Sequence, residues 1–233
     1  MRILILAAGE ATRWGGYLDT PKHLVRLLGE PILARSIRLI REMRPDADVR
    51  IVLRDPSDDR YHLPGATIEQ ARLDDANGGA DKFLSSAHLW DAHGRTVLLY
   101  GDCYLTRRAM TAILDESPHE GGWHVVARFN AGTFTGTPWG ENFAHVIDPE
   151  AQGRYLANLK DLAARYARGE IWRVGGWEQY AMLAGGYLDD PAVNIGHATD
   201  IDDWSDDFDY PDDYNTWCQR YAAATPALQK MAE

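Results

Sequence analysis

Met1 to Leu33, MRILILAAGEATRWGGYLDTPKHLVRLLGEPIL, is the stretch whose reading decides the fold. Arg2-Ile3-Leu4-Ile5-Leu6 is an almost unbroken apolar run, short enough for a central strand of a parallel sheet buried on both faces. Ala7, Ala8 and Gly9 follow, small enough for a ligand to lie directly on the backbone. Arg13, the paired glycines Gly15 and Gly16, and Pro21-Lys22 come next. A helix is expected from about Pro31, with Leu33, Ile37 and Ile40 at helical spacing on its apolar face. The order is therefore strand, small-residue loop with two cations, helix. Backbone N–H groups and fixed cations at such a place suit a triphosphate. A lone loop of this kind could equally be a surface turn with scattered charges.

The rest of the chain sets the context. It has 233 residues, 45% hydrophobic and 25% charged, as in one globular domain with a sizeable core. A net charge of -11 argues against a general nucleic-acid surface but leaves room for a local nucleotide site. Cys103 and Cys218 have neither metal-ligand spacing nor a disulfide framework, and read as reduced thiols of a cytoplasmic protein. The apolar start is too short for a secretory signal, and no stretch approaches a membrane span. No feature argues for a protein partner other than a second copy of the chain.

Further strands are expected at Val49 to Leu53, Thr67-Ile68, Thr96 to Tyr100 and Trp123 to Phe129, and a helix around Met110 to Leu114. Gly101-Asp102 closes the Thr96 strand, where ligands of open α/β sheets collect. A strand-terminal aspartate is often only a helix cap, although Thr106 could serve that need. Asn77 to Ser86 carries Gly78 and Gly79, with serines expected to open a helix. From Asn130 to Thr199 the strand–helix alternation is lost, apart from a helix expected over Arg154 to Arg168. The aspartates from Asp200 to Asp213 interleave with Trp204, Phe208, Tyr214 and Trp217, so that run is expected to pack rather than float in solvent.

Leu6-Ala7-Ala8-Gly9, Arg13, Pro21-Lys22 and Gly29-Glu30-Pro31-Ile32-Leu33 together resemble the signature of the nucleotidyltransferase superfamily of GT-A-like fold, which includes sugar-phosphate, choline-phosphate and MobA-like NTP transferases. One position departs: Ala11 stands where the family loop has its second glycine. The resemblance implies an α/β fold with a doubly wound, mostly parallel mixed sheet. It divides residues 1–233 into a nucleotide and metal core (1–129 and 200–222) and an inserted acceptor lobe (130–199). It implies transfer of NMP from an NTP to a phosphorylated small-molecule acceptor, with release of pyrophosphate and dependence on Mg²⁺.

By the same resemblance Arg13 and Lys22 act on the phosphates. The nucleotide lies on Leu6, Ala7, Ala8, Gly9, Glu10, Ala11, Thr12 and Gly101, with Gly78, Gly79 and Ser85 against the base as in isoprenoid cytidylyltransferases. That last likeness leans toward CTP or another pyrimidine nucleotide. It is partial, because those enzymes follow the metal aspartate with Ala-Ala-Arg-Pro, whereas this chain reads Gly101-Asp102-Cys103-Tyr104-Leu105. Asp102 is the expected metal ligand. Asp209-Tyr210-Pro211-Asp212-Asp213 resembles the family's second metal segment, which makes Asp209 the other ligand, with Asp207 and Asp202 as alternatives. Glu141, Lys160, Trp139 and Trp177 are the acceptor-side candidates, as a cage for an ammonium group or a platform for a sugar ring.

Two other readings compete. A glycosyltransferase of the related fold would show Asp-x-Asp at the metal strand and would lack the Arg13–Lys22 pair. A non-catalytic nucleotide-binding homologue has only the altered loop position, Ala11, in its favour.

Overall fold

A computed structural model describes residues 1–185 and 197–233, so residues 186–196 of the expected acceptor lobe lie outside the described residues. The strands are β1 (Arg2–Leu6), β2 (Arg26–Leu27), β3 (Glu30–Pro31), β4 (Asp48–Leu53), β5 (Thr67–Gln70), β6 (Thr96–Tyr100), β7 (Cys103–Tyr104), β8 (Trp123–Arg128), β9 (Glu141–Ile147), β10 (Ala198–Asp200) and β11 (Asp206–Asp207). The α-helices are α1 (Ile32–Met43), α2 (Asp81–Leu84), α3 (Arg107–Ile113), α4 (Pro149–Ala167), α5 (Gly176–Ala184), α6 (Pro211–Ala223) and α7 (Pro226–Lys230).

Seven strands form the central sheet in the order β10-β8-β9-β6-β1-β4-β5. β1 pairs in parallel with β4 and β6, placing it at the heart of the sheet as its apolar run demands. β9 runs antiparallel to both neighbours, β6 and β8, which makes the sheet mixed. β6 and β8 are buried along their whole length, so layers cover both faces. The expected α/β architecture is therefore present.

Three local expectations change. β9 and the start of α4 fall inside the stretch where alternation seemed lost, because Asn142 and His145 interrupt the apolar pattern of a strand that belongs to the sheet itself. α4 begins at Pro149, with proline at its first position, well before Arg154. Ser85 and Ser86 follow α2 rather than open it, and the Ser86 hydroxyl donates to the Phe83 carbonyl.

A second core lies beside the sheet. Trp14, Ile32, Tyr104, Trp204, Phe208 and Trp217 pack together, with Tyr17 and Tyr214 against them. This cluster ties the loop after β1 to the acidic segment near the C-terminus. Trp14 meets Tyr17 and Tyr214 edge to face, and its indole N–H donates to the Thr20 carbonyl at 2.8 Å. The interleaved aromatics and aspartates after residue 200 thus pack, as expected.

Candidate active site

The loop after β1 and the ends of β4 and β6 enclose a cavity of about 410 Å³. It sits at the carboxyl ends of parallel strands, where the strand order places crevices. Leu6, Ala8, Gly9, Glu10, Ala11, Thr12, Arg13, Lys22, Gly78, Ser85, Asp102 and Asp209 line it, as the sequence leads one to expect. Ala7, Gly79 and Gly101 do not. Ala7 is buried in the core, its N–H bonded to the Val52 carbonyl. Gly101 donates to the Leu6 carbonyl, and a Cβ there would come within 2.9 Å of that oxygen. At Gly79 a side chain would strike the Val174 carbonyl. Ala7 and Gly101 serve close packing behind the cavity, while Gly79 lies at the surface against the Val174 carbonyl.

The acidic floor is assembled from distant segments. β7 pairs with β11, setting Asp207 opposite Cys103, and the Phe208 N–H donates to the Asp102 carbonyl at 3.2 Å. Side-chain oxygens of Asp102, Asp207 and Asp209 lie within 4.8 Å of one another. Asp207 also belongs to a second such group with Glu141 and Asp206. Asp202 stands apart, accepting from the Thr133 backbone N–H at 3.0 Å and from its hydroxyl. Asp102 is not a helix cap. Thr106 caps α3, accepting from the Ala109 N–H at 3.1 Å.

The two expected cations neutralise this floor. Lys22 Nζ is 2.5 Å from Asp102 and 2.8 Å from Asp209, and Arg13 is 2.6 Å from the other oxygen of Asp209. Burial works against the Lys22 charge, but Asp102 and Asp209 outweigh it and raise its pKa. Burial likewise opposes the charge on Asp102, and Lys22 with Lys82 reverses the balance, holding the carboxyl below the usual range. Asp207 has no cation of its own, so burial and the neighbouring carboxylates push it well up. Burial and Asp206 push Glu141 up to about 8. Asp206 is paired at 2.9 Å with the buried Arg128. Carboxylate oxygens at this spacing are the hard donors that Mg²⁺ takes, and the raised Asp207 marks negative charge left uncompensated.

Lys82 is the cation that sequence reasoning missed. It lies 5.1 Å from the Tyr100 ring centroid and lines the first cavity. Its only signal was a lysine just after the paired glycines. Lys82, Arg13, Tyr100 and Asp209 also border a second cavity of about 690 Å³. Trp139, Glu141 and Trp177 line that cavity, together with Phe129, Asn142, Trp172 and Arg173. Lys160 is exposed on α4 and lines neither cavity.

Residues 3–184 match the model of the MobA-like NTP transferase domain. The chain belongs to that family. Among curated relatives, the NTP transferase domain is 29% identical over 165 residues to the bifunctional protein GlmU of Paraburkholderia phytofirmans and 30% identical over 165 residues to that of Paraburkholderia xenovorans. Each match covers 71% of this chain and 32% of the relative, so the domain corresponds to about a third of their length. Its fold is shared with the CTP:phosphocholine cytidylyltransferase LicC of Streptococcus pneumoniae, at TM-score 0.57 and 15% identity over 96% of this chain and 99% of that one. It is shared equally with a glucose-1-phosphate thymidylyltransferase from Bacillus anthracis, at TM-score 0.59 and 14% identity over 93% of both chains. Among the described residues no helix is long and apolar enough to cross a membrane.

Proposed function

We propose that this domain transfers NMP from an NTP to a phosphorylated small molecule and releases pyrophosphate. The observation that carries the reading is the clasp of Lys22 and Arg13 on Asp102 and Asp209, at one end of a cavity lined by the loop after β1. Neither side chain is committed to holding the local fold, since Thr106 rather than Asp102 caps α3 and aromatic packing holds the loop that carries Arg13 and Lys22. Cations and carboxylates that can exchange partners suit a substrate that brings both phosphates and a divalent ion.

Asp102 and Asp209, with Asp207 beside them, would hold Mg²⁺, which when bound neutralises phosphate charge and orients the leaving group. Arg13 holds the β- and γ-phosphates from the loop. Lys22, fixed by burial, stabilises the α-phosphoryl group as its charge redistributes. The acceptor is already an anion, so its phosphate oxygen attacks in line without a strong general base. The protein's task is to overcome repulsion between two anions and to align them, and Lys82 adds charge where the two cavities meet. The base lies toward Gly78 and Ser85, and a pyrimidine is the expected choice. The second cavity, with Trp139, Glu141 and Trp177, takes the acceptor.

Pyrophosphate release, measured with Mg²⁺ and each of four NTPs against a panel of sugar and amino-alcohol phosphates, tests this reading. Release that needs one NTP and one acceptor, and disappears in Asp102→Ala, is the expected result. Silence across the panel, or release that survives Asp102→Ala, would remove it.

A further inference from the structure

The second cavity has a polar corner that phosphoryl transfer leaves without a role. Asn142, the second residue of β9, lines it and is only 8% exposed, yet neither its Nδ2 nor its Oδ1 has a hydrogen-bond partner. Its side chain faces the first residue of α5. A Cβ built on Gly176 would lie 3.0 Å from Asn142 Nδ2 and 3.1 Å from His145 Nε2, which is also buried without a partner, and would collide with the Tyr100 hydroxyl. α5 has no side-chain cap on its free N–H groups. A buried amide with an unmet donor and an unmet acceptor therefore stands beside the start of α5, whose N-cap glycine offers no side-chain cap. Polar groups this deeply buried are ordinarily satisfied, and among the described residues this corner has no partner, so a bound molecule can supply one.

The chemistry of that partner follows from its surroundings. A helix N-terminus alone attracts anions. Here Glu178 already places a carboxylate in the first turn, ion-paired to Arg173 at 2.5 Å, and a second anion would meet repulsion. A neutral hydroxyl both donates and accepts, which matches the two free atoms of Asn142. The adjoining wall is apolar. Phe129 and Trp177 meet edge to face at 5.3 Å, and Trp139 lines the same cavity, together offering flat surface to a ring.

We propose that Asn142 is a specificity-determining residue for the acceptor. It reads a ring hydroxyl of a polyhydroxylated phosphate at the N-terminus of α5, and Gly176 is glycine because a side chain there would collide with the Tyr100 hydroxyl and crowd Asn142 Nδ2. This rests on the reading of the second cavity as the acceptor site.

Calorimetric binding of α-D-glucose 1-phosphate, myo-inositol 1-phosphate and phosphocholine tests it, using full chain loaded with Mg²⁺ and a non-hydrolysable NTP analogue. A hydroxylated probe should bind more tightly than phosphocholine. Asn142→Leu should weaken that probe by at least ~10-fold and Asn142→Ser by less, because a site built around a hydroxyl loses most when its own polar group is removed. Affinity for the NTP analogue should stay unchanged in both variants, showing that each has folded. Equal affinity in Asn142→Leu, preference for phosphocholine, or no binding of either hydroxylated probe would overturn the inference. Pyrophosphate release by the same protein variants, assayed separately with Mg²⁺ and the hydrolysable NTP in place of the analogue, separates the two readings. A probe bound through Asn142 without any release counts against the transferase and for the corner, whereas release with a KM indifferent to Asn142 does the reverse.

Discussion

Lys22 Nζ lies 2.5 Å from Asp102 Oδ2, in a pair of which both members are largely enclosed. On the proposed reading, the lysine assigned to a phosphate and the aspartate assigned to a metal hold each other in the free protein. Each ligand that binds frees the partner of the other, so metal and nucleotide binding are expected to reinforce each other.

Replacing Lys22 should separate these roles. Lys22→Ala is expected to lower turnover by at least ~10²-fold, the scale of losing one preorganised electrostatic donor. The same change leaves Asp102 without its main cation, so Mn²⁺ should bind more tightly in the absence of nucleotide, by roughly tenfold. Mn²⁺ titration followed by electron paramagnetic resonance reads the second effect independently of activity. Weaker Mn²⁺ binding in the variant would contradict the clasp.

Ala11 adopts φ +51°, a left-handed conformation that costs an L-residue roughly 1–2 kcal/mol, at the position where related loops carry glycine. Ala11→Gly removes that strain but makes the unfolded chain more flexible, at a cost of roughly 0.5–1 kcal/mol. The net expectation is unchanged or slightly higher stability, up to ~1 kcal/mol, with the loop path preserved. A clear fall in Tm by calorimetry would mean that the alanine methyl group contributes packing that outweighs its strain.

Arg128 and Asp206 form an ion pair at 2.9 Å with both side chains almost wholly buried. Removing one partner strands a buried charge. Asp206→Ala is therefore expected to cost about 3–5 kcal/mol in urea unfolding. The double variant Arg128→Met/Asp206→Leu should recover much of that loss, because apolar side chains can replace such a pair at little cost. A double variant as unstable as the single one would show that the pair does more than cancel its own charge.

Burial pushes His145 down to about 3, with the ring held between Phe83 and Tyr155 and its Nδ1 2.7 Å from the Tyr155 hydroxyl. The unfolded chain takes up this proton near pH 6.5 while the folded one resists it. Stability from this group is complete above pH 6.5 and is lost progressively as the pH falls toward the folded value. At pH 5.5 the loss amounts to about 1.4 kcal/mol. His145→Gln should shrink the difference in unfolding free energy between pH 7.5 and 5.5 by about that amount, whatever its effect at pH 7.5. An unaltered difference would show that the ring is protonated in the folded protein.

Much of the fold was legible because β1 and β6 are almost unbroken apolar runs and β4 is broken only by Arg50 after Val49, a pattern that suits a sheet covered on both faces. β9 was not, and the reason is physical. Asn142 lines the second cavity from within the strand, and His145 is accommodated in the core through Tyr155, so the segment does not look like a buried strand. Arg13, Lys22 and Asp102 were singled out by residue type and position together with the family resemblance, Asp209 by the resemblance alone, and the structure brings their side chains together. Gly79 and Gly101 show where such reading stops. Small residues that admit a ligand and small residues that admit a neighbouring carbonyl look the same in one dimension, and these two face Val174 and Leu6. Lys82 was hidden for the opposite reason, as one lysine in a polar segment acquires meaning only once Tyr100 and Asp102 stand beside it.

The bond from Lys22 to Asp209 spans 187 positions of sequence. During synthesis the cationic loop leaves the ribosome long before β11 and Asp209 do, so for most of translation Arg13 and Lys22 face that carboxylate's empty place. This part of the site can therefore close only after residues 206–209 have been made, so its assembly is a late event in folding however early β1 forms.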